Sequence, residues 1–333
     1  MDLIREDHMK AYRSIISGLA VAGAALAFAQ GASAADYPKK PITFIVPFGV
    51  GGSFDTIARK LGQRWEKELG QPVVVKSLPG SGGRRGSLQI YRAQPDGYTI
   101  GFAHFVPFLA DEKLMGKPPA LDLKKFEVIY KIAHGPNYIF VRKDLPFKSV
   151  KDLAKANRPI KFASTGVGAI TWTEANALAG ILDFKLAFVL GYSKLGDAAV
   201  AVAKGDAEAG LGTVSHFQGV KDDVRPLMFF GSERDPNYPD VPSAGELGLK
   251  RLTALGSPRI IVAPPGTPKA PVMVIREAIK KAAADPEFKT WMQKSGFYLK
   301  AQDPESTWVD LEEQGKVFAS LAEAVQAAQK GKK

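Results

Sequence analysis

Short apolar runs alternate with amphipathic stretches along most of this 333-residue chain. Ile42–Val46 is apolar except for Thr43, the pattern of a strand buried on both faces. Gly49-Val50-Gly51-Gly52 then reads as a turn and Ser53 as a helix N-cap. Ile57, Leu61, Trp65 and Leu69 recur every four residues until Gly70 stops the helix. The unit repeats at once, with a strand at Val73–Val75, a glycine loop over Pro79–Gly86, a short helix over Ser87–Ala93 and a strand over Tyr98–Ala103. Further strands are expected at 127–132, 138–142, 160–163, 188–190, 207–211, 227–230 and 260–263. Helices are expected at 150–157, 171–182 and 197–204, and the region from Pro268 onward reads as mostly helical.

Strands that alternate with helices imply an α/β architecture with mainly parallel sheets. Ligands of such sheets sit at the carboxyl ends of the strands, so the three glycine-rich strand-to-helix loops are the places to look. The first is Gly49-Val50-Gly51-Gly52-Ser53-Phe54-Asp55, the second Pro79-Gly80-Ser81-Gly82-Gly83-Arg84-Arg85-Gly86, and the third Ser164-Thr165-Gly166-Val167-Gly168-Ala169.

The N-terminus changes the picture. Lys10 and Arg13 precede an apolar stretch from Ile15 to Ala29, and Ala32-Ser33-Ala34 supplies a cleavage site, the pattern of a secretory signal peptide over residues 1–34. The start could be Met1 or Met9. Removal of the leader takes away three basic and three acidic residues, so the formal charge of +11 is unchanged. The remaining length fits two domains at about 150 residues each. Basic residues are scattered, many of them as pairs, and never form a dense block, which argues against nucleic acid as a partner; the excess reads either as a plain solvated surface or as modest steering of an anionic ligand toward a cleft. The chain has no cysteine and four histidines, at positions 8, 104, 134 and 216. Thiolate metal sites, iron–sulfur clusters and cysteine nucleophiles are therefore excluded, and no metal or cofactor is expected.

Each loop offers backbone N–H groups at a helix start, suited to a carboxylate. The first is not a dinucleotide fingerprint, because Phe54 stands at the third glycine position, and the second is not a phosphate-binding P-loop. The glycines would serve plain tight turns equally well. Arg84 and Arg85 could add charge-assisted contacts or simply be solvated, and Trp172 could stack on a ligand or pack in the core. His104, at a strand end, reads either as a ligand contact or as an ordinary core-edge histidine. A secreted hydrolase using Ser53 or Ser193 is the enzyme alternative. Gly191-Tyr192-Ser193-Lys194-Leu195 lacks the second glycine of a nucleophile elbow, however, and no serine–histidine–acid set is apparent.

Taken in order, the motifs resemble the Bug-type (TctC) solute-binding proteins of tripartite tricarboxylate transporters. They are Tyr37-Pro38 with Pro41-Ile42, the first two glycine loops, Leu69-Gly70-Gln71-Pro72 and Pro95-Asp96-Gly97-Tyr98-Thr99. Ser164 to Gly168, Tyr192, Pro239-Asp240-Val241-Pro242 and Ala263-Pro264-Pro265-Gly266-Thr267-Pro268 complete the set. The resemblance implies a two-lobed, type II periplasmic binding protein with a ligand cleft between the lobes. Residues 37–137 with 253–333 would form one lobe and 138–252 the other. It implies a non-enzymatic, monomeric receptor in the Gram-negative periplasm that passes an organic carboxylate, a di- or tricarboxylate or an aromatic acid, to a membrane permease. A sensory role toward a membrane signalling protein is the alternative. The resemblance gives ligand-binding roles to Ser53, Phe54, Asp55, Ser81, Gly82, Gly83, Thr165, Gly166, Val167, Gly168 and Ala169, and its motifs include Gly51 and Tyr192; Arg84, His104 and Thr171 are candidates from their own chemistry in or beside the loops. Arg84-Arg85 stands where the family usually has Asn and an aliphatic residue. An Asp common after a later strand falls near Gly212 or Thr213.

Overall fold

The computed structural model describes residues 37–330, so the expected leader over 1–34 lies outside the described residues. The strands are β1 (Ile42–Val46), β2 (Val73–Ser77), β3 (Thr99–Ala103), β4 (Glu127–Gly135), β5 (Tyr138–Arg142), β6 (Ile160–Ser164), β7 (Leu186–Leu190), β8 (Ala209–Gly212), β9 (Val224–Phe229), β10 (Ser257–Ala263) and β11 (Leu299–Gln302). The helices are α1 (Ser53–Leu69), α2 (Arg84–Tyr91), α3 (Val106–Lys113), α4 (Val150–Ala154), α5 (Ile170–Leu182), α6 (Leu195–Lys204), α7 (Val214–Phe217), α8 (Lys269–Ala284), α9 (Pro286–Lys294) and α10 (Pro304–Lys330).

The strands form two sheets, in the orders β11-β4-β10-β3-β1-β2 and β7-β6-β8-β5-β9, each the centre of one lobe of an α/β fold. The chain crosses from the first sheet to the second between β4 and β5 and returns between β9 and β10. The sheets are mixed, which corrects the expectation of mainly parallel ones. β1 runs parallel to β2 and β3, and β6 parallel to β7 and β8, because helical crossovers connect these strands. β10 is antiparallel to β3 and β4, and β5 is antiparallel to β8 and β9. These are the strands nearest the two crossings, where the chain turns back.

Periodicity explains the packing. The four-residue repeat of α1 puts Ile57, Leu61 and Trp65 on one buried face, and Gly70 ends the helix in the left-handed region at φ 66°. Trp65 meets Phe44 with ring centroids 5.7 Å apart, and Phe44 meets Phe102 edge-on at 5.0 Å. Burying each such side chain stabilises the lobe by about 1.5–3 kcal/mol. Trp172 is buried in the second lobe with its ring 5.8 Å from Phe188, so it belongs to the core. The late helix α10 packs on α5, and Phe318 and Leu321 join Ala175 and Leu178 in one cluster. That contact ties the end of the chain to the second lobe.

One carboxyl group lies inside this packing. Glu174, on α5, is 0% exposed and receives a hydrogen bond from Asn137 Nδ2 at 2.6 Å, while its other oxygen has no partner among the described residues. Burial pushes its pKa from 4.5 up to about 8. A raised acid pKa means that the folded state holds the proton while the unfolded chain ionises. Stability is therefore full below pH 4.5 and declines until the pH passes about 8. Glu174→Gln should leave the melting temperature nearly unchanged at about pH 4.5 and raise it by several degrees at about pH 9. Thermal melts at both pH values check this, and an equal gain at each would place the charge in solvent.

Candidate functional site

The carboxyl ends of β1, β3 and β6 converge where the lobes meet. Four polar contacts cross between the sheets there. Gly49 N–H donates to Ser193 O at 3.1 Å, Lys194 Nζ to Val50 O at 2.9 Å, and Arg84 Nη1 to Val167 O at 2.8 Å; Ser53 Oγ lies 3.0 Å from His216 Nε2. Enclosed among them is a small cavity of about 20 Å³, room for about one water molecule. From the first lobe it is lined by Phe48, Gly52, Ser53, Phe54, His104, Ser257 and Arg259, and Asn137 borders it at the crossing. The second lobe contributes Thr165, Ile170, Thr171, Lys194, Leu195 and His216. The first turns of α1, α5 and α6 all border it, so three helix N-termini contribute positive partial charge.

Arg259 dominates the electrostatics. It projects from the inner strand β10 and is 3% exposed, yet it has no carboxylate partner among the described residues. Nη1 donates to Ser257 O, Nη2 donates to Ser53 Oγ at 2.9 Å, and the guanidinium carbon lies 4.7 Å from the centre of the Phe54 ring. Nε is without a partner among the described residues. Burial lowers its pKa only to about 10, so the group stays charged at neutral pH. The other lining cation, Lys194, has Asp197 3.9 Å away in addition to the Val50 carbonyl.

Ser53 had been expected to cap α1. The structure makes Gly52 the N-cap and Ser53 the first helical residue, which leaves the hydroxyl free to face Arg259 and His216. The Ser53–His216 contact is the serine–histidine pairing that the sequence did not reveal. Its proton order is wrong for catalysis. Thr213 N–H donates to His216 Nδ1 at 3.0 Å, which makes Nδ1 an acceptor and places the ring proton on Nε2, pointing at Ser53. Such a ring cannot take the serine proton, and burial, followed by the Arg259 charge, lowers its pKa to about 3. His104 is likewise neutral, with burial as the main cause of a pKa near 4. Its Nδ1 lies 2.9 Å from Gly82 O and must carry the proton, so Nε2 is an acceptor, and it is without a partner among the described residues.

Of the sixteen candidate residues, Ser53, Phe54, His104, Thr165 and Thr171 line the cavity. The other eleven do not. Asp55 is occupied by Gly51 N–H, Ser77 and a two-point pair with Arg59; burial raises its pKa, but these partners outweigh it and hold it low. Ser81, Gly82 and Gly83 form a left-handed turn that abuts the third loop; a Cβ on Gly82 would lie 3.3 Å from that of Ala169, and one on Gly166 would lie 3.1 Å from Gly82 N. Arg84 is ion-paired with Asp111 and reaches the carbonyls of Val167 and Pro107, so its fork closes the lobes instead of facing the cavity. Gly168 backs directly onto that guanidinium. Tyr192 packs against the second-lobe core. The lining residues that the sequence reading missed include Arg259, His216, Asn137 and Lys194. An arginine at the head of the apolar run Ile260–Ala263 was the available signal for the first of these.

A larger cavity, about 330 Å³, opens beside Lys131, His134, Lys300 and Asp310. There Asp310 answers both Lys131 and Lys300, so its cations are already paired, unlike Arg259.

Comparison with known proteins agrees with this fold. The family described as the tripartite tricarboxylate transporter family receptor matches residues 57–317. BugT of Bordetella pertussis is 31% identical over 264 residues, covering 75% of this chain and 78% of BugT. The UPF0065 protein in the TAR-I ttuE-ttuC' intergenic region of Agrobacterium vitis is 32% identical over 261 residues, covering 75% of this chain and 73% of its own. Among solved structures, the periplasmic binding protein BugD aligns with TM-score 0.76 at 29% identity over 87% of this chain and 99% of its own. MatC from Rhodopseudomonas palustris with bound malate aligns with TM-score 0.76 at 25% identity, over 87% and 100%. No helix among the described residues is long and apolar enough to cross a membrane. The chain belongs to the tripartite tricarboxylate transporter family of receptors, which bind solutes without chemical conversion.

Proposed function

We propose that this protein captures an organic carboxylate between its lobes in the periplasm and delivers it, in the closed form, to a tripartite tricarboxylate-type permease. One observation carries this reading: the buried guanidinium of Arg259, without an acidic partner among the described residues, borders the interlobe cavity together with three helix N-termini. A carboxylate would complete the charge, and the malate bound to MatC supports that class of ligand. The reading includes export through the leader at 1–34, a monomeric state, and lobes divided at 37–137 with 253–333 against 138–252. The two sheets support that division, since each draws its strands from one side of it.

A cavity of about 20 Å³ cannot admit a carboxylic acid, so binding begins with the lobes apart and ends with the loops closed around the ligand. The four cross-lobe hydrogen bonds contribute about 0.5–1.5 kcal/mol each. The ligand adds its preference for the closed form to this sum and thereby shifts the population.

A saturating carboxylate, at about 100 times its Kd, should stabilise the protein by about 2.7 kcal/mol in thermal melts, whereas the corresponding amide should not. Arg259→Met should weaken that acid by roughly tenfold to a hundredfold. Wild-type affinity in this variant would remove the guanidinium from the site. A second prediction concerns closure. Gly82 and Gly168 have φ of 63° and 74°, and a Cβ on Gly168 would lie 2.6 Å from Arg84 Nη2. Gly82→Val and Gly168→Val should retain the fold by circular dichroism and bind at least tenfold more weakly by calorimetry. Unchanged affinity in both would show that the loops need not meet.

A further inference from the structure

The polar groups lining the cavity describe more than a carboxylate. Among the described lining residues there is no acidic side chain, and of the two cations Lys194 already has Asp197 and the Val50 carbonyl nearby. One positive charge, on Arg259, is left to be answered. Ser53 Oγ accepts from Arg259 and from His216, so its own proton is free to point at an anion. His104 lines the same cavity, and its Nε2 is a buried lone pair without a partner among the described residues, with its tautomer fixed by Gly82 O. Both groups pack on one ring: the Arg259 guanidinium lies 4.7 Å and the His104 ring 6.0 Å from the centre of Phe54, within the span of one small molecule. A buried acceptor without a donor penalises any ligand that fails to supply one.

We propose that the site selects a singly charged carboxylic acid that also carries a neutral hydrogen-bond donor, a hydroxyl or an amide N–H, with Arg259 and Ser53 holding the carboxylate and His104 Nε2 accepting from the donor. A second carboxylate would bury a charge that no free cation meets. An ammonium group would face Arg259 without an acid to pair with. This inference rests on the carboxylate reading above and narrows it.

The test is calorimetry on the full mature chain at low salt, with acids that share a skeleton. The four-carbon set is butanoate, 2-hydroxybutanoate, 2-aminobutanoate and malate; the phenyl set is phenylacetate, mandelate and phenylglycine. In at least one set the hydroxy acid should bind roughly tenfold more tightly than the plain acid. 2-Hydroxybutanoate should likewise exceed 2-aminobutanoate and malate, or mandelate should exceed phenylglycine, by at least as much. His104→Asn keeps a donor for Gly82 O and removes the Nε2 acceptor, and it should collapse the ratio of hydroxy to plain acid to about one. His104→Gln, which restores an acceptor near that position, should recover part of the ratio. If His104→Asn does not fold, the wild-type ratios decide alone. Malate binding more tightly than 2-hydroxybutanoate, or equal affinities for hydroxy and plain acids in both sets, would overturn this inference and leave the carboxylate reading standing. Failure of every acid to bind would overturn both.

Discussion

A buried guanidinium is costly unless its charge is answered, and among the described residues Arg259 is answered only by neutral groups: a carbonyl, a hydroxyl and the face of a ring. These contacts hold the group in place without cancelling its charge. The surroundings are arranged around that remainder. Phe54 follows Ser53 on the first turn of α1, so a single helix start supplies both the hydroxyl and the ring, and the partial charge of that terminus adds to the guanidinium field. His216 reaches the same hydroxyl from the other lobe and stays neutral partly because Arg259 is near. Ser53 and Phe54 thus both contact one cation, and His216 feels its charge.

Closure, by contrast, is made by groups that need no ligand. Arg84 illustrates the division. Asp111 fixes its fork at the end of α3, and the remaining N–H groups reach the Val167 and Ser81 carbonyls, so the charge is neutralised within the first lobe while the geometry grips the second. Lys194 does the reverse, standing on the second lobe and binding Val50 O on the first. Paired cations bridge the lobes through neutral carbonyls, and the unpaired one faces inward.

Much of the fold was legible from periodicity. β1 has the bounds its apolar run suggested, and α1 ends at the glycine that marked its stop. Where a pattern was missing, the element was missed: α3 buries Val106, Pro107 and Phe108 in succession and Ala110 after them, which erases the helical period. The site was less legible because its chemistry depends on distant partners. Arg84 looked like a ligand contact until Asp111, twenty-seven residues on, took its charge. Arg259 fell just before an expected strand that in fact begins at Ser257. His216 sits on a four-residue helix too short to announce itself, close to the point where the family pattern had already departed at Gly212 and Thr213. The first and third glycine loops contribute Gly52, Ser53, Phe54 and Thr165 to the lining, whereas the second meets the third loop and lines nothing.

The Thr213 amide shows how little separates this arrangement from a different one. A serine at a helix start, a histidine within hydrogen-bond reach and backbone N–H groups nearby are the parts of a hydrolytic site. Here one backbone proton occupies the imidazole nitrogen that an acid would otherwise hold, so the ring proton points toward Ser53. With Arg259 donating to the same oxygen, a nucleophile is converted into a relay: it accepts twice and has one proton to give. The direction of these hydrogen bonds denies Ser53 a general base, even though the residue types alone would suit either chemistry.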